Sequence, residues 1–248
     1  MTHDRYEDMA GRYDLTFGSV DQRDPTMARF FQRVFAEHEV QSVLDCACGT
    51  GRHLLLFHSL GLEVVGSDVS EAMLVQARKN LAGHGVEVPL HQADYRNLPQ
   101  TFGRRFDAVV CLAAIGYMPD ETQVLRAFRS MRSVLRDRGV LILTAVPTDR
   151  QWAEQSRFIL NANTRDFSRI FAIDYLERTA RYNVLDIHHG EERRGLEVWS
   201  IELTVLLQAD QQRLLEQAGF RSVEFFGSFV FDPYDRTASN RLIAVAQR

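Results

Sequence analysis

The stretch with the most chemistry to offer runs from Leu44 to His53, LDCACGTGRH. A short apolar run delivers an acid, Asp45, and is followed at once by Gly49 and Gly51 and then by an apolar helical run. Glycines at the end of a strand let a ligand approach the backbone without meeting a Cβ. In open parallel sheets, ligands bind at that carboxyl edge. A dinucleotide fingerprint would need a third glycine where Leu54 stands, and a phosphate loop would need Gly-Lys-Ser/Thr; the sequence has neither.

Two further acids fall at comparable positions. Asp68 ends the run VVGSD, about twenty residues beyond the glycines, where a carboxylate can accept both hydroxyls of a ribose. Asp94 follows the next apolar run, in QADYRNL, placed to accept from an adenine amino group. A single Asp at a strand end is an ordinary turn residue. Three at the ends of consecutive strands, the first inside D-x-A-C-G-T-G, point to a nucleoside that carries no phosphate. S-adenosylmethionine is such a molecule.

The elements that must position these acids alternate. Met27, Phe30, Phe31, Val34 and Phe35 repeat at helical spacing behind Pro25, which suits a first turn. VLDCACGTG is a short strand that carries Cys46 and Cys48 and stops at its glycines, RHLLLFHSL a helix closed by Gly61, and VVGSD a second strand. Ser70 can cap the next helix, with Glu71 in its first turn and Arg78 and Lys79 in its last. Val86 to Gln92 reads as a third strand and FDAVVCLA as a fourth. Val124, Leu125, Phe128, Met131 and Leu135 mark a helix that Gly139 breaks before the strand VLILTAV. This rhythm predicts parallel βαβ units in a sheet buried on both faces.

After Pro147 the rhythm changes. SRIFAIDYLE, ARYNVLDIHH and LEVWSIELTVLL look like three long strands with no helix between them. Trp199, Ile201, Leu203 and Val205 share one face of the last, while Ser200, Glu202 and Thr204 share the other, as in a half-exposed antiparallel sheet. Asp210 can cap the helix QQRLLEQA, which Gly219 ends, and two strands, FRSVEFFGSF and NRLIAVAQ, return to the main sheet. The reading is one α/β domain over 1–248: a seven-stranded, mostly parallel, Rossmann-like sheet flanked by helices. A helical lid covers 1–38, and a small antiparallel insertion after strand five covers 148–208.

Bulk properties narrow the class. The chain has 248 residues, 45% hydrophobic and 25% charged, with a formal net charge of −4, enough for one large core. No basic field gathers, which disfavours nucleic acid as a partner; the arginines from Arg126 to Arg138 fall on a solvated helix face. No apolar run reaches membrane-spanning length, and MTHDRYEDMAGRYD is too polar for a signal peptide. Three cysteines, Cys46, Cys48 and Cys111, make no disulfide framework, and a cytoplasmic setting is the expectation. Cys46 and Cys48 have no second pair or spaced histidine to hold zinc and read as small buried hydrophobes, so no metal is expected.

Taken together, D-x-A-C-G-T-G, the Asp68 strand end, Ala93-Asp94, FDAVVCL and LLEQAGF resemble, in order, the class I S-adenosylmethionine-dependent methyltransferases. The resemblance runs from about Tyr13 to the final strand, weakest over the insertion. It implies that Ala47, Gly49 and Gly51 hold the methionine part, with Asp45 acting on its ammonium directly or through water. It further implies that Asp68 holds the ribose and Asp94 the adenine amine, with Met73, Tyr95 and Leu112 flanking the base. Within the class, AGRYDLTFGSVDQR resembles the N-terminal segment of the glycine and sarcosine N-methyltransferases. That match implies that Tyr13 and Arg23 meet the cofactor's methionine end. AAIGYM, Ala113 to Met118, resembles the acceptor-lining segment of amino-sugar N,N-dimethyltransferases and makes Tyr117 the candidate catalytic residue.

The resulting expectation is methyl transfer to a small molecule, an amine nitrogen first, with self-association through the insertion. The alternatives are O-methylation of a small carboxylate or phenol and non-catalytic binding of S-adenosylmethionine. An aminopropyl transferase would share the sheet but would show an acidic amine-binding segment, which is missing. His188 and His189 read as a solvated strand end, and Phe225, Phe226, Phe229 and Phe231 as core or interface.

Overall fold

Alternation of strand and helix carries through into the computed structural model of the chain, which describes Ala10, 24–191 and 193–248. Asp24 caps α1 (Pro25–Glu37) by accepting the Thr26 amide at 2.8 Å. β1 (Ser42–Asp45), α2 (Arg52–Ser59), β2 (Glu63–Asp68), α3 (Glu71–Gly83), β3 (Leu90–Gln92), a short α4 (Leu98–Thr101) and β4 (Phe106–Leu112) follow. Next come a 3₁₀ turn (Ile115–Tyr117), α5 (Glu121–Ser133) and β5 (Leu135–Ala145). After the insertion, α7 (Gln208–Ala218), β10 (Ser222–Phe226) and β11 (Leu242–Gln247) complete the domain.

The main sheet has seven strands in the order β10-β11-β5-β4-β1-β2-β3. β11 runs antiparallel to both of its neighbours, and the other pairs are parallel. The chain winds outward from β1 in both directions, so the crevice at the carboxyl ends of β1 and β4 is a topological switch point. Alternate residues of the central strands feed two apolar layers. Leu44, Val109, Leu141 and Leu143 pack with Phe128, Met131, Leu214 and Leu215 on one face, under α5 and α7. Val43, Val110, Ile142 and Ile243 pack with Phe30, Phe31, Leu54, Phe57 and Leu74 on the other, under α1, α2 and α3. Phe30 is fully buried and stacks on Phe231 with centroids 4.6 Å apart, so truncating it would cost about 3–5 kcal/mol.

Between β5 and α7 the chain forms α6 (Asp149–Glu154), whose Thr148 and Gln151 make a reciprocal capping box, and then four strands. These are β6 (Phe158–Asn163), β7 (Phe167–Tyr175), β8 (Thr179–His189) and β9 (Arg194–Thr204), in that spatial order and all antiparallel. The insertion therefore has one strand more than the three the pattern predicts. Its inner face packs Ile173, Ala180 and Val205 against Trp152, Phe171, Tyr175, Tyr182 and Leu207. Its outer face exposes Phe158, Leu160, Leu196 and Val198. Within it, Arg169 and Asp186, both buried, form a forked pair with Nε–Oδ1 at 2.5 Å and Nη2–Oδ2 at 2.7 Å, and the Trp199 indole donates to Asp186 at 3.2 Å.

Several local expectations are corrected. β3 spans only Leu90–Gln92, because Pro89 has no N–H to donate and its carbonyl accepts the Gly66 amide where the ladder begins. Gly139 does not precede a strand but lies within β5, where a Cβ would come within 2.9 Å of the Arg136 carbonyl oxygen. Asp210 is not the cap of α7; it sits one turn inside and accepts the Leu207 amide at 3.3 Å. Arg78 and Lys79 fall short of the last turn of α3, and Cys46 and Cys48 lie just beyond β1, both buried. Among the described residues no helix is long and apolar enough to cross a membrane, and no group of metal-ligating side chains occurs.

Candidate active site

β1 ends at Asp45 and the chain turns through Cys46 to Gly51 into α2. Gly49 and Gly51 have φ of 52° and 89°, the left-handed region that glycine enters without strain. The turn is pinned on both sides: the Cys46 amide donates to the Val110 carbonyl at 3.0 Å, and the Cys48 amide donates to that of Ser67 at 2.9 Å. Asp68, at the end of β2, accepts the Gly49 amide on Oδ2 at 2.9 Å and the Ser70 amide on Oδ1 at 3.0 Å. Ser70 in turn caps α3 by accepting the Met73 amide.

Asp45 is buried behind the turn. Its Oδ1 accepts the Ala47 amide at 3.2 Å and its Oδ2 has no hydrogen-bond partner among the described residues. Burial pushes its carboxyl up to about 7 against the pull of the Ala47 amide, and the charge of Asp68 adds to the rise. Asp94, after β3, is gripped by Arg96. Its Oδ1 accepts the Arg96 amide at 2.8 Å and Nε at 3.0 Å, while Oδ2 accepts Nε at 2.8 Å and also Nη2. Burial opposes ionisation of Asp94, but these bonds outweigh it and hold the carboxyl below its usual range. The Tyr95 hydroxyl donates to the Ala114 carbonyl at 3.0 Å, and burial raises its phenol well above the ordinary value.

These groups surround one cavity of about 240 Å³ at the carboxyl edge of β1, β2 and β4. Ala47, Gly49, Asp68, Met73, Asp94, Tyr95, Leu112 and Tyr117 line it, which brings together most of the residues expected from the sequence. Gly51 stands behind the lining as the N-cap of α2, where a Cβ would meet that of Ala77 at 3.3 Å. Tyr13 and Arg23 lie outside the described residues. Sequence reasoning missed Cys46, Val69 and Arg96, which also line the cavity, while Ala113, Ala114 and Met118 of the expected acceptor segment do line it. The Asp-x-Arg spacing after a strand end was the available signal for Arg96. Tyr117 ends the 3₁₀ turn and is 39% exposed. That turn rests on the base of the inserted sheet, since the Thr204 hydroxyl donates to the Met118 carbonyl at 2.6 Å. No residue of the inserted sheet itself lines the cavity among the described residues.

The donor set tests what such a cavity can hold. Among the described residues that line the cavity, with Asp45 buried behind them, Arg96 is the one cation beside Asp68 and Asp94, and it is paired with Asp94. An acidic site with an unpartnered buried carboxylate oxygen fits a positively charged nucleoside and repels a phosphate.

A family model for a methyltransferase domain matches residues 43–139. A glycine/sarcosine N-methyltransferase of Parasynechococcus marenigrum is 27% identical over 242 residues, covering 91% of this chain and 79% of that enzyme. A dTDP-3-amino-3,4,6-trideoxy-alpha-D-glucopyranose N,N-dimethyltransferase of Streptomyces venezuelae is 37% identical over 106 residues, 42% of each chain. In fold, an S-adenosylmethionine-dependent methyltransferase from Clostridium acetobutylicum superposes with a TM-score of 0.82, at 16% identity, over 98% of this chain and 99% of that one. Residues 43–139 match a methyltransferase domain, the chain has the fold of the class I S-adenosylmethionine-dependent methyltransferases, and it is an enzyme of methyl transfer from S-adenosylmethionine. Within the class it is similar to the small-molecule N-methyltransferases of the glycine/sarcosine and amino-sugar types.

Proposed function

We propose that this enzyme transfers the methyl group of S-adenosylmethionine to the nitrogen of a small amine, held above the cavity and beneath the inserted sheet. The observation that carries the reading is the convergence of the Gly49 turn, Asp68 and Asp94 on one acidic cavity, with the unpartnered oxygen of Asp45 behind it. Similarity over most of the chain to enzymes named for N-methylation of glycine and sarcosine supports the amine.

In this reading Asp68 accepts from the ribose and Asp94 from the adenine amino group, with Met73, Tyr95 and Leu112 against the base. Ala47, Gly49 and Gly51 make room for the methionine part. Asp45 balances the methionine ammonium directly or through water, and Tyr13 and Arg23, outside the described residues, would act at the same end. The chain works as one domain in which 148–208 serves the acceptor. The exposed apolar residues on the outer face of the inserted sheet support self-association there, which sedimentation would test.

S-adenosylmethionine supplies a methyl group already made electrophilic by its sulfonium. The work left to the protein is alignment: the amine lone pair must sit about 3 Å from the methyl carbon, opposite the sulfur. The N–C bond forms as the C–S bond breaks, and the proton lost from the product ammonium passes to water. Tyr117 orients the amine through its hydroxyl, while Leu112 and Met118 exclude water.

The test is a screen of small amines, carboxylates and phenols for release of S-adenosylhomocysteine. Efficient turnover of an amine supports the proposal. Turnover of carboxylates or phenols alone overturns the amine and leaves the methyltransferase class untouched.

A further inference from the structure

Asp94 and Arg96 are locked together more completely than an adenine contact requires. A carboxylate offers about four lone-pair positions. Three N–H groups of Arg96 reach them: the backbone amide and Nε on Oδ1, with Nε shared onto Oδ2, and Nη2 on Oδ2. Arg96 is itself held from behind, its Nη1 donating to Gln123 on α5 at 3.2 Å. The Asp94 side chain is 24% exposed and both residues line the cavity, so the carboxylate meets the ligand along one short edge.

We propose that Arg96 is a positioning and selectivity residue, whose four contacts, two on each oxygen, fix the orientation of Asp94 so that only its one exposed edge meets the 6-position of the purine. This rests on the assignment of Asp94 to adenine made above. One fixed acceptor fits the single amino proton that an adenine edge directs at it. A 6-oxo purine carries an acceptor at that atom and its donor one atom further round the ring. A carboxylate free to swing could follow that donor; one forked to Arg96 cannot. The lock therefore makes the site select a 6-amino over a 6-oxo nucleoside, because a site built around one hydrogen bond rejects a ligand that leaves it unmade. Lysine at the same position would keep the charge and lose the fork.

The experiment is calorimetric binding of S-adenosylhomocysteine and S-inosylhomocysteine to the full chain and to Asp94→Ala, Arg96→Met, Arg96→Lys and the Asp94→Ala/Arg96→Met double variant, each checked for an intact thermal transition. The parent should prefer the adenosine ligand by about 100-fold. Arg96→Met should lower that ratio about tenfold, chiefly by admitting the inosine ligand. Arg96→Lys should keep adenosine affinity near the parent's without restoring the ratio, and the double variant should be no worse than Asp94→Ala. If Asp94→Ala erases the preference while Arg96→Met leaves it intact, the lock is refuted and the adenine assignment stands. If Asp94→Ala binds S-adenosylhomocysteine as the parent does, the adenine assignment itself falls and takes the inference with it.

Discussion

Asp68 accepts the amide of Gly49 at 2.9 Å, so the acid at the end of one strand is tied to the glycine turn at the end of its neighbour. On the proposed assignment of Asp68 to the ribose, ribose binding and the shape of the methionine pocket are coupled through one carboxylate. Asp68→Ala removes its charge-assisted bonds to the ribose and loosens the turn together. Cofactor affinity should fall by roughly 2–4 kcal/mol, measured as S-adenosylhomocysteine binding by calorimetry. Unchanged affinity in a folded Asp68→Ala protein would rule out the ribose assignment.

Asp45 gives a prediction in pH. Its folded carboxyl stands at about 7 against an ordinary 3.8, so the ligand-free folded state holds a proton that the unfolded chain has released. A raised carboxyl makes stability fall as pH rises from about 4 to about 7. Asp45→Asn should remove that dependence and stabilise the ligand-free protein at neutral pH by roughly 2–4 kcal/mol. A cationic methionine end should draw the proton off, so cofactor affinity should rise with pH up to about 7 with release of a proton. Calorimetry in buffers of different ionisation enthalpy measures that proton. Binding with no proton release at pH 6 would remove Asp45 from the ammonium site.

For Tyr117 the expected loss is in turnover. Tyr117→Phe keeps the ring against the cavity and removes only the hydroxyl. If that hydroxyl orients the amine, kcat should drop about tenfold, with S-adenosylhomocysteine affinity within twofold. In the parent enzyme, kcat/KM should climb with pH as the neutral amine becomes populated. Equal losses in turnover and cofactor affinity would assign Tyr117 to packing.

The Arg169–Asp186 pair should matter for stability alone. Arg169→Ala strands a buried carboxylate and should cost about 3–5 kcal/mol in denaturant unfolding. Arg169→Met with Asp186→Leu should recover most of that. Neither protein should change in affinity for S-adenosylhomocysteine, because the inserted sheet contributes no described residue to the cavity lining.

The sheet and the cofactor half were legible in the sequence because both are governed by local signals. Runs without alternation mark buried parallel strands, and acids and glycines at their ends mark the carboxyl edge. β6 escaped because it is a short edge strand whose large side chains, Phe158 and Leu160, point to solvent, so nothing distinguishes it from a loop. The start of β3 was misplaced because the apolar run extends back through Pro89, which cannot enter the ladder as a donor. Arg96 was overlooked since a lone arginine two residues from an acid is common, and only the fold turns it back across Asp94. The acceptor site stayed illegible for a different reason: the insertion proposed to cover it has a pattern that specifies a sheet and not a ligand.

The insertion leaves and rejoins the domain at a single joint, where the Gln208 amide at the start of α7 donates to the Asp149 carboxylate at the start of α6 at 3.1 Å. Both breakpoints of a recombination event could fall there, and the gap would close with a short loop at small entropic cost. If the insertion serves the acceptor as proposed, the donor half of the enzyme and the part that sees the acceptor can be inherited separately. A lineage could exchange one roof for another and acquire a new methyl acceptor, without retuning a single residue that grips the cofactor. A chimera with the inserted sheet of a relative, joined between residues 148 and 208, is the laboratory form of that exchange.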